Sequence, residues 1–306
     1  FDGFVDEIAR VIARRLPDAG IQYVERIADF GAMIQGAAGR SFGREFQVLK
    51  VEGGGNGPNL ADGLDALGIQ VDLYGTLGDP RHPAFDDIAS RCRRCMSISP
   101  AFGKTIALEF TDGKLMLNET SSLATVNAGT LTALLESAET GGYPAACRTA
   151  QLIALCNWSK YPHMTECWRV VQDRVLATLT HRPWLLVDLA DPAGRAAGDV
   201  AELLFLVGAM QKTTRVVLGA NLQEAGVLVR AIGCGEAALV EDEPRSMQRA
   251  AAALRERIGA EIMVIHSQRR AAGAWARGSG CIEGAYTPNP VRTTGVGDRF
   301  NAGLAV

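Results

Sequence analysis

Four segments of this chain are apolar almost without interruption: 151–156 (QLIALC), 184–189 (WLLVDL), 215–218 (RVVL) and 261–265 (EIMVI). Stretches of helical periodicity lie between and around them, at 165–179, 196–209, 222–231 and 245–258. A strand that faces water on one side alternates apolar and polar residues, and these do not. Continuous apolar strands are buried on both faces, which requires a parallel sheet covered by helices on both sides. Right-handed crossovers follow. The expected fold class is therefore α/β, with a mostly parallel central sheet in three layers.

Other segments depart from this pattern. Residues 104–110 (KTIALEF), the turn Thr111-Asp112-Gly113 and residues 114–117 (KLML) read as a β-hairpin. Residues 45–51 (EFQVLKV) read as another strand, just before a glycine cluster. Such antiparallel pieces in an α/β chain predict a small β appendage, placed to cover a site at the carboxyl ends of the parallel strands. Nearer the N-terminus, Phe4, Ile8, Val11, Ile12 and Leu16 have helical spacing and predict a helix over 4–16. Leu60, Leu64 and Leu67 predict one over 59–67, and 69–74 (IQVDLY) a strand.

Composition excludes several classes. Of 306 residues, 47% are hydrophobic and 21% charged, which rules against collagen-like, disordered and coiled-coil chains. Lys+Arg 31 against Asp+Glu 34 gives a net charge of −3, with no basic face for nucleic acid. No apolar run is long enough to span a bilayer. Cys92, Cys95, Cys147, Cys156, Cys167, Cys234 and Cys281 are scattered and odd in number, unlike a disulfide framework. The expectation is a cytoplasmic protein that neither spans a membrane nor binds nucleic acid.

Two glycine-rich segments carry the chemistry. Gly53-Gly54-Gly55-Asn56-Gly57-Pro58-Asn59 runs directly into the helix at Leu60. Glycines admit close backbone approach to a ligand, and helix N-termini present unpaired N–H groups. The same residues also suit a tight turn with Asn59 as helix cap. They do not form a dinucleotide fingerprint, because the third glycine is missing. The second segment is Thr293-Thr294-Gly295-Val296-Gly297-Asp298-Arg299-Phe300-Asn301-Ala302-Gly303. Its glycines can form an anion hole at a helix N-terminus, with Asp298 beside the bound anion to accept a proton from an attacking hydroxyl.

These motifs resemble those of the ribokinase-like (PfkB-type) carbohydrate kinases. The second is similar to that family's closing signature, with Val296 in place of Ala, and GGGNGPN is similar to its sugar-binding glycine motif. Gly75-Thr76-Leu77-Gly78-Asp79 and Asn221-Leu222-Gln223-Glu224 resemble two further motifs, and the four occur in the family's order. The resemblance implies a ribokinase-like three-layer sandwich with a β lid, formed by 23–51 and 101–118. The kinase core would be 1–22, 52–100 and 119–306. It implies an ATP- and Mg²⁺-dependent kinase acting on a hydroxyl of a sugar or nucleoside, and a possible homodimer through the lid. Asp298 would be the catalytic base and Gly295, Val296 and Gly297 the anion hole. Asn221 and Glu224 would hold nucleotide phosphate and metal, Glu224 through water. Asp6, Gly55, Asn56, Asn59 and Asn157 would contact the substrate.

The absence of a G-x-x-x-x-G-K-[ST] loop excludes a Walker-type nucleotide site. One departure from the family stands out: where a Thr-x-Gly segment is expected after the strand 261–265, this chain has His266-Ser267-Gln268-Arg269-Arg270. That departure keeps a second reading open, a non-catalytic sugar or nucleotide sensor with the same fold. A Rossmann-type oxidoreductase explains the glycines but not Asn-x-x-Glu or the closing motif. A complete chain of the family is expected to begin before residue 1 and to continue past residue 306. Asp188 and Asp191, at the end of the strand 184–189, suit either the site or loop capping. Cys92 and Cys95 form a lone CxxC without a second pair at zinc spacing.

Overall fold

The computed structural model of the chain describes residues 1–17, 19–137, 142–235, 242–287 and 295–306. The first elements are β1 (Phe4–Arg15), β2 (Ile21–Tyr23), α1 (Ile27–Gln35), β3 (Phe46–Gly54), α2 (Asn56–Ala66) and β4 (Asp72–Gly75). Next come α3 (Asp86–Arg91), β5 (Arg94–Ser97), β6 (Gly103–Phe110), β7 (Gly113–Glu119), α4 (Ala128–Glu136) and α5 (Gly142–Cys147). Then follow β8 (Leu152–Cys156), α6 (Met164–Arg174), β9 (Trp184–Asp188), α7 (Ala197–Met210), β10 (Arg215–Asn221) and α8 (Leu222–Ala231). The last are α9 (Pro244–Ile258), β11 (Ile262–His266), β12 (Arg270–Trp275), β13 (Gly278–Glu283) and α10 (Val296–Leu304).

The four apolar segments are β8, β9, β10 and β11, and they pair in parallel in that order. The antiparallel hairpin β12–β13, which no periodicity announced, extends the sheet to six strands. Both faces are covered. Leu185, Val187, Val216 and Leu218 pack with Trp168, Leu203 and Met247 of α6, α7 and α9. Leu186 and Val217, one residue out of phase, pack with Leu60 and Leu64 of α2 and Ala302 of α10. Each such side chain contributes roughly 1.5–3 kcal/mol of burial, and the alternation fixes which helices lie on which face. Gly208 allows α7 to meet the carbonyl of Ile258 at the end of α9. Among the described residues, no helix is long and apolar enough to cross a membrane.

A second sheet contains β2, β1, β6 and β7, with β3 also paired to β1. The expected hairpin is present as β6–β7. The helix expected over 4–16 is not: this segment is the long strand β1. It runs antiparallel to β2 and β3 and parallel to β6. Its near-continuous burial on both sides explains the misreading, because a strand covered on both faces loses the two-residue period that distinguishes it from a helix. The pair β4–β5 forms a separate parallel ladder.

Candidate active site

The carboxyl ends of the parallel strands set the stage. Asp188 closes β9, Asn157 follows β8, and Asn221 and His266 close β10 and β11 at the same register level. α2 and α10 bring the glycine-rich motifs onto this row. They approach so closely that a Cβ on Gly63 would lie 3.6 Å from the Arg299 Cα.

Asp298 lies in the first turn of α10 and is buried. Its Oδ1 accepts from Asn56 Nδ2 at 2.9 Å and its Oδ2 from Asn59 Nδ2 at 3.0 Å. Burial pushes its pKa well above the usual carboxylate range, and the nearby Asp188 and Asp2 push the same way, against the two amides. Gly295 precedes α10 with φ 76°, in the left-handed region that favours glycine. Gly295, Val296 and Gly297 thus place backbone N–H groups at the positive end of α10, directly before the carboxylate. The Val296 side chain is 55% exposed, so its replacement of a smaller residue crowds nothing. Thr293 and Thr294 lie outside the described residues.

α2 starts at Asn56, three residues before the expected position, so Asn59 is not its cap. The cap comes from Asp2, which is fully buried and accepts from Asn56 N at 2.8 Å and Gly57 N at 2.7 Å. Asp2 also accepts from Asn157 Nδ2 at 2.8 Å. Gly55 makes room for this carboxylate: with φ 99°, a Cβ there would lie 2.8 Å from Asp2 Oδ2. Asn157 has φ 60° and donates its backbone N–H to Asp188 O at 2.8 Å. Its Oδ1 is buried and has no partner among the described residues. Asp6 sits farther along β1, its carboxylate lying over Gly54 where no side chain would fit. It is Asp2, rather than the expected Asp6, that joins the cluster around Asn56 and Asn157.

Sequence reasoning left Asp188 open, and the structure places it in the site. It is buried and accepts from Ala190 N at 2.8 Å and from Asn301 Nδ2 at 2.7 Å. Burial raises its pKa, and Asp2 adds to the rise. Asn301 had a signal in the closing motif, where it follows Phe300. Gly219 of β10 makes space for it, since a Cβ there would lie 2.8 Å from Asn301 Oδ1. Asp191, by contrast, caps a short turn through Ala193 N at 2.9 Å.

Asn221 and Glu224 form a reciprocal cap at the start of α8. Glu224 N donates to Asn221 Oδ1 at 2.9 Å, and Asn221 N donates to Glu224 Oε2 at 2.9 Å. Burial pushes the Glu224 carboxyl up to about 7, and Asp188 and Asp191 add to the rise. Asp2, Asp188, Glu224 and Asp298 therefore form a concentration of carboxylates, none of which pairs with Lys or Arg among the described residues. Such a cluster suits a bound cation. No group of three or more direct ligands exists among the described residues.

The sites that sequence reasoning discounted stay outside this cluster. Cys92 and Cys95 are half-buried free thiols, and burial raises both pKa values, that of Cys92 to about 11. A cavity of about 970 Å³ lies between β4 and β8, but Asp298, Asn59 and Glu224 do not line it.

Comparison with known proteins bears on the family and the fold. The family model described as prokaryotic ketohexokinase matches residues 1–306. A ketohexokinase of Haloferax volcanii is 28% identical over 318 residues, covering 100% of this chain and 79% of that protein. Adenosine kinase from Sinorhizobium meliloti has a TM-score of 0.61 at 16% identity, covering 99% of this chain and 84% of its own. Anopheles gambiae adenosine kinase, solved with P1,P4-di(adenosine-5) tetraphosphate, has a TM-score of 0.62 at 16% identity, covering 99% and 86%. At those identities the two structures speak for the fold alone. The family match spans the whole chain, and the chain, which has the fold of the ribokinase-like kinases, belongs to the prokaryotic ketohexokinase family.

Proposed function

We propose that this kinase transfers the terminal phosphoryl group of ATP to a hydroxyl of a ketohexose, with Asp298 as general base. The observation that carries this reading is the Asp298 carboxylate, buried, held between the amides of Asn56 and Asn59, and set directly behind Gly295, Val296 and Gly297. The acceptor class comes from the matched family and from the Haloferax volcanii relative.

The acceptor hydroxyl gives its proton to Asp298 while its oxygen bonds to the terminal phosphorus and the bond to ADP breaks. The raised pKa of Asp298 makes it a stronger base than an exposed aspartate. Charge on the transferring phosphoryl meets the N–H groups of Gly295, Val296 and Gly297 at the helix end. Mg²⁺, when bound, neutralises nucleotide phosphate charge, and Glu224 and Asn221 are the residues that would hold it through water. Gly55, Asn56, Asn59 and Asn157 orient the sugar, and Asp2 holds Asn56 and Asn157 in place. The orphaned Oδ1 of Asn157 is a ready acceptor for a sugar hydroxyl.

The small sheet serves as a lid that keeps water, a competing acceptor, from the phosphoryl group. Phe46, Val48, Leu49 and Val51 of β3 are exposed, which supports pairing of two copies through this sheet. Sedimentation of the chain and of a Leu49→Glu variant tests the pairing, and an unsubstituted chain that sediments as a monomer refutes it. The activity is tested by ADP release from ATP and Mg²⁺ over ketohexoses, aldoses and nucleosides. Fructose-type ketohexoses are expected to give the highest kcat/KM. Preference for a nucleoside would overturn the acceptor, and no ADP release with any of them would overturn the activity.

A further inference from the structure

His266 belongs to none of the roles assigned so far, yet it stands at the anion hole. It closes β11 beside Asn221, and its ring stacks on Phe300 of α10 with centroids 4.5 Å apart and planes inclined by 33°. The Cε1–Nε2 edge faces Gly297: a Cβ on that glycine would lie 3.7 Å from Cε1 and 3.9 Å from Nε2. The ring nitrogens have no hydrogen-bond partner among the described residues. A side chain at position 297 would fill the space between ring and helix end, whereas glycine leaves it open to a ligand oxygen.

The chemistry of the surroundings defines that ligand. The helix end presents N–H groups that attract an anion, while Asp188, Glu224 and Asp298 repel one. An imidazole carries at least one ring N–H donor. A donor aimed along the open side of Gly297 adds a hydrogen bond to the same oxygen-rich group that the backbone amides receive.

We propose that His266 contacts the nucleotide's phosphates, its Nε2–H donating to a phosphoryl oxygen held over Gly297, with Phe300 fixing the ring. This rests on the kinase reading above. It also accounts for the chain's departure from Thr-x-Gly, with the imidazole supplying the donor at that strand end.

The test uses three chains: unsubstituted, His266→Phe, which keeps an aromatic ring against Phe300 but has no donor, and His266→Gln, which keeps a donor. Binding of the non-hydrolysable ATP analogue AMP-PNP with Mg²⁺, and of adenosine, is measured by calorimetry. Loss of one hydrogen bond to a charged group is expected to weaken AMP-PNP by roughly tenfold to a hundredfold in His266→Phe. Adenosine affinity and the KM for sugar should stay unchanged, and His266→Gln should recover part of the loss. Equal AMP-PNP affinity in His266→Phe, or an equal loss for adenosine, overturns the proposal. Should His266→Phe fail to fold, the ring nitrogen resonances of the unsubstituted chain decide. The His266 signal, assigned by its absence in His266→Gln, must move with AMP-PNP and not with adenosine, and a signal that ignores AMP-PNP overturns the proposal. If the unsubstituted chain turns over sugar and Asp298→Asn does not, a failure of these arms touches His266 alone. If the unsubstituted chain binds no AMP-PNP, the kinase reading falls with it.

Discussion

Gly63 of α2 lies directly against Ala302 of α10, so near that a methyl group on Gly63 would sit 2.7 Å from the Ala302 Cβ. This contact sets the distance between the two helices, and with it the reach of Asn56 and Asn59 to Asp298. Gly63→Ala should force the helices apart and destabilise the fold by about 1–3 kcal/mol, the usual cost of overpacking. Turnover should fall further than stability alone explains, because the two amides lose their grip on the Asp298 carboxylate. Gly198→Ala in α7 is the control: nothing lies within 4 Å of its added methyl. It should leave turnover unchanged and stabilise by up to about 1 kcal/mol. Thermal unfolding and kcat for both variants decide the matter.

Removing the proposed base has a separate signature. Asp298→Asn should lower kcat by roughly 10²–10⁴-fold, the contribution typical of a positioned base. Its affinity for AMP-PNP and for sugar should remain within a few-fold of the unsubstituted chain. Single-turnover assays with parallel calorimetry check this, and turnover within tenfold of normal would sink the assignment.

The same variant should be more stable, and the sign depends on pH. Burial and mutual repulsion raise the carboxyls of Asp298 and Asp188 in the folded chain. The folded state therefore keeps protons that the unfolded state has already released, and stability falls as pH rises above the usual carboxylate range. Asn at 298 removes one of these titrations. Asp298→Asn should gain stability at pH 8, and the gain should shrink toward pH 4. Urea unfolding at the two pH values measures it; a gain that grows on acidification would refute the argument.

Asp2 should behave as a helix cap supplied from outside the helix. In Asp2→Ala, Asn56 N, Gly57 N and Asn157 Nδ2 lose their acceptor in a buried setting. Each such orphan costs about 1–3 kcal/mol. Hydrogen exchange at the first turn of α2 should accelerate well before global unfolding, while exchange in β9 and β10 should change little. Uniform acceleration across the chain would show a general loss of stability instead.

Much of this arrangement was legible before any coordinates. The strands β8 to β11 announce themselves because both faces of each are buried, leaving runs such as LIALC and WLLVD with no polar interruption. Asp298 could be singled out as a candidate because paired glycines directly precede it, although an N-capping aspartate after a glycine turn has the same local pattern. Asp2 was harder to see. Its partners are backbone N–H groups more than fifty residues away and an amide 155 residues away, and no local spacing encodes them. Asp188 was ambiguous for a related reason: an aspartate ending a strand caps a loop as readily as it enters a site, and here it does both. β1 was misread because its double burial erased the strand period.

That strand ties two parts of the molecule together. Asp2, just before β1, caps α2 inside the site, while Val11 and Ile12 sit in the small sheet paired to β2 and β3. The ladder with β3 slips once, between Ile8 and Ala9. A one-residue insertion or deletion elsewhere in β1 would shift the register of the small sheet and the position of Asp2 together, and would turn each side chain in between to the opposite face. An insertion in the connection after Arg15 leaves the β1 register and Asp2 where they are, so the small sheet can absorb a change of length there without disturbing the cap on α2.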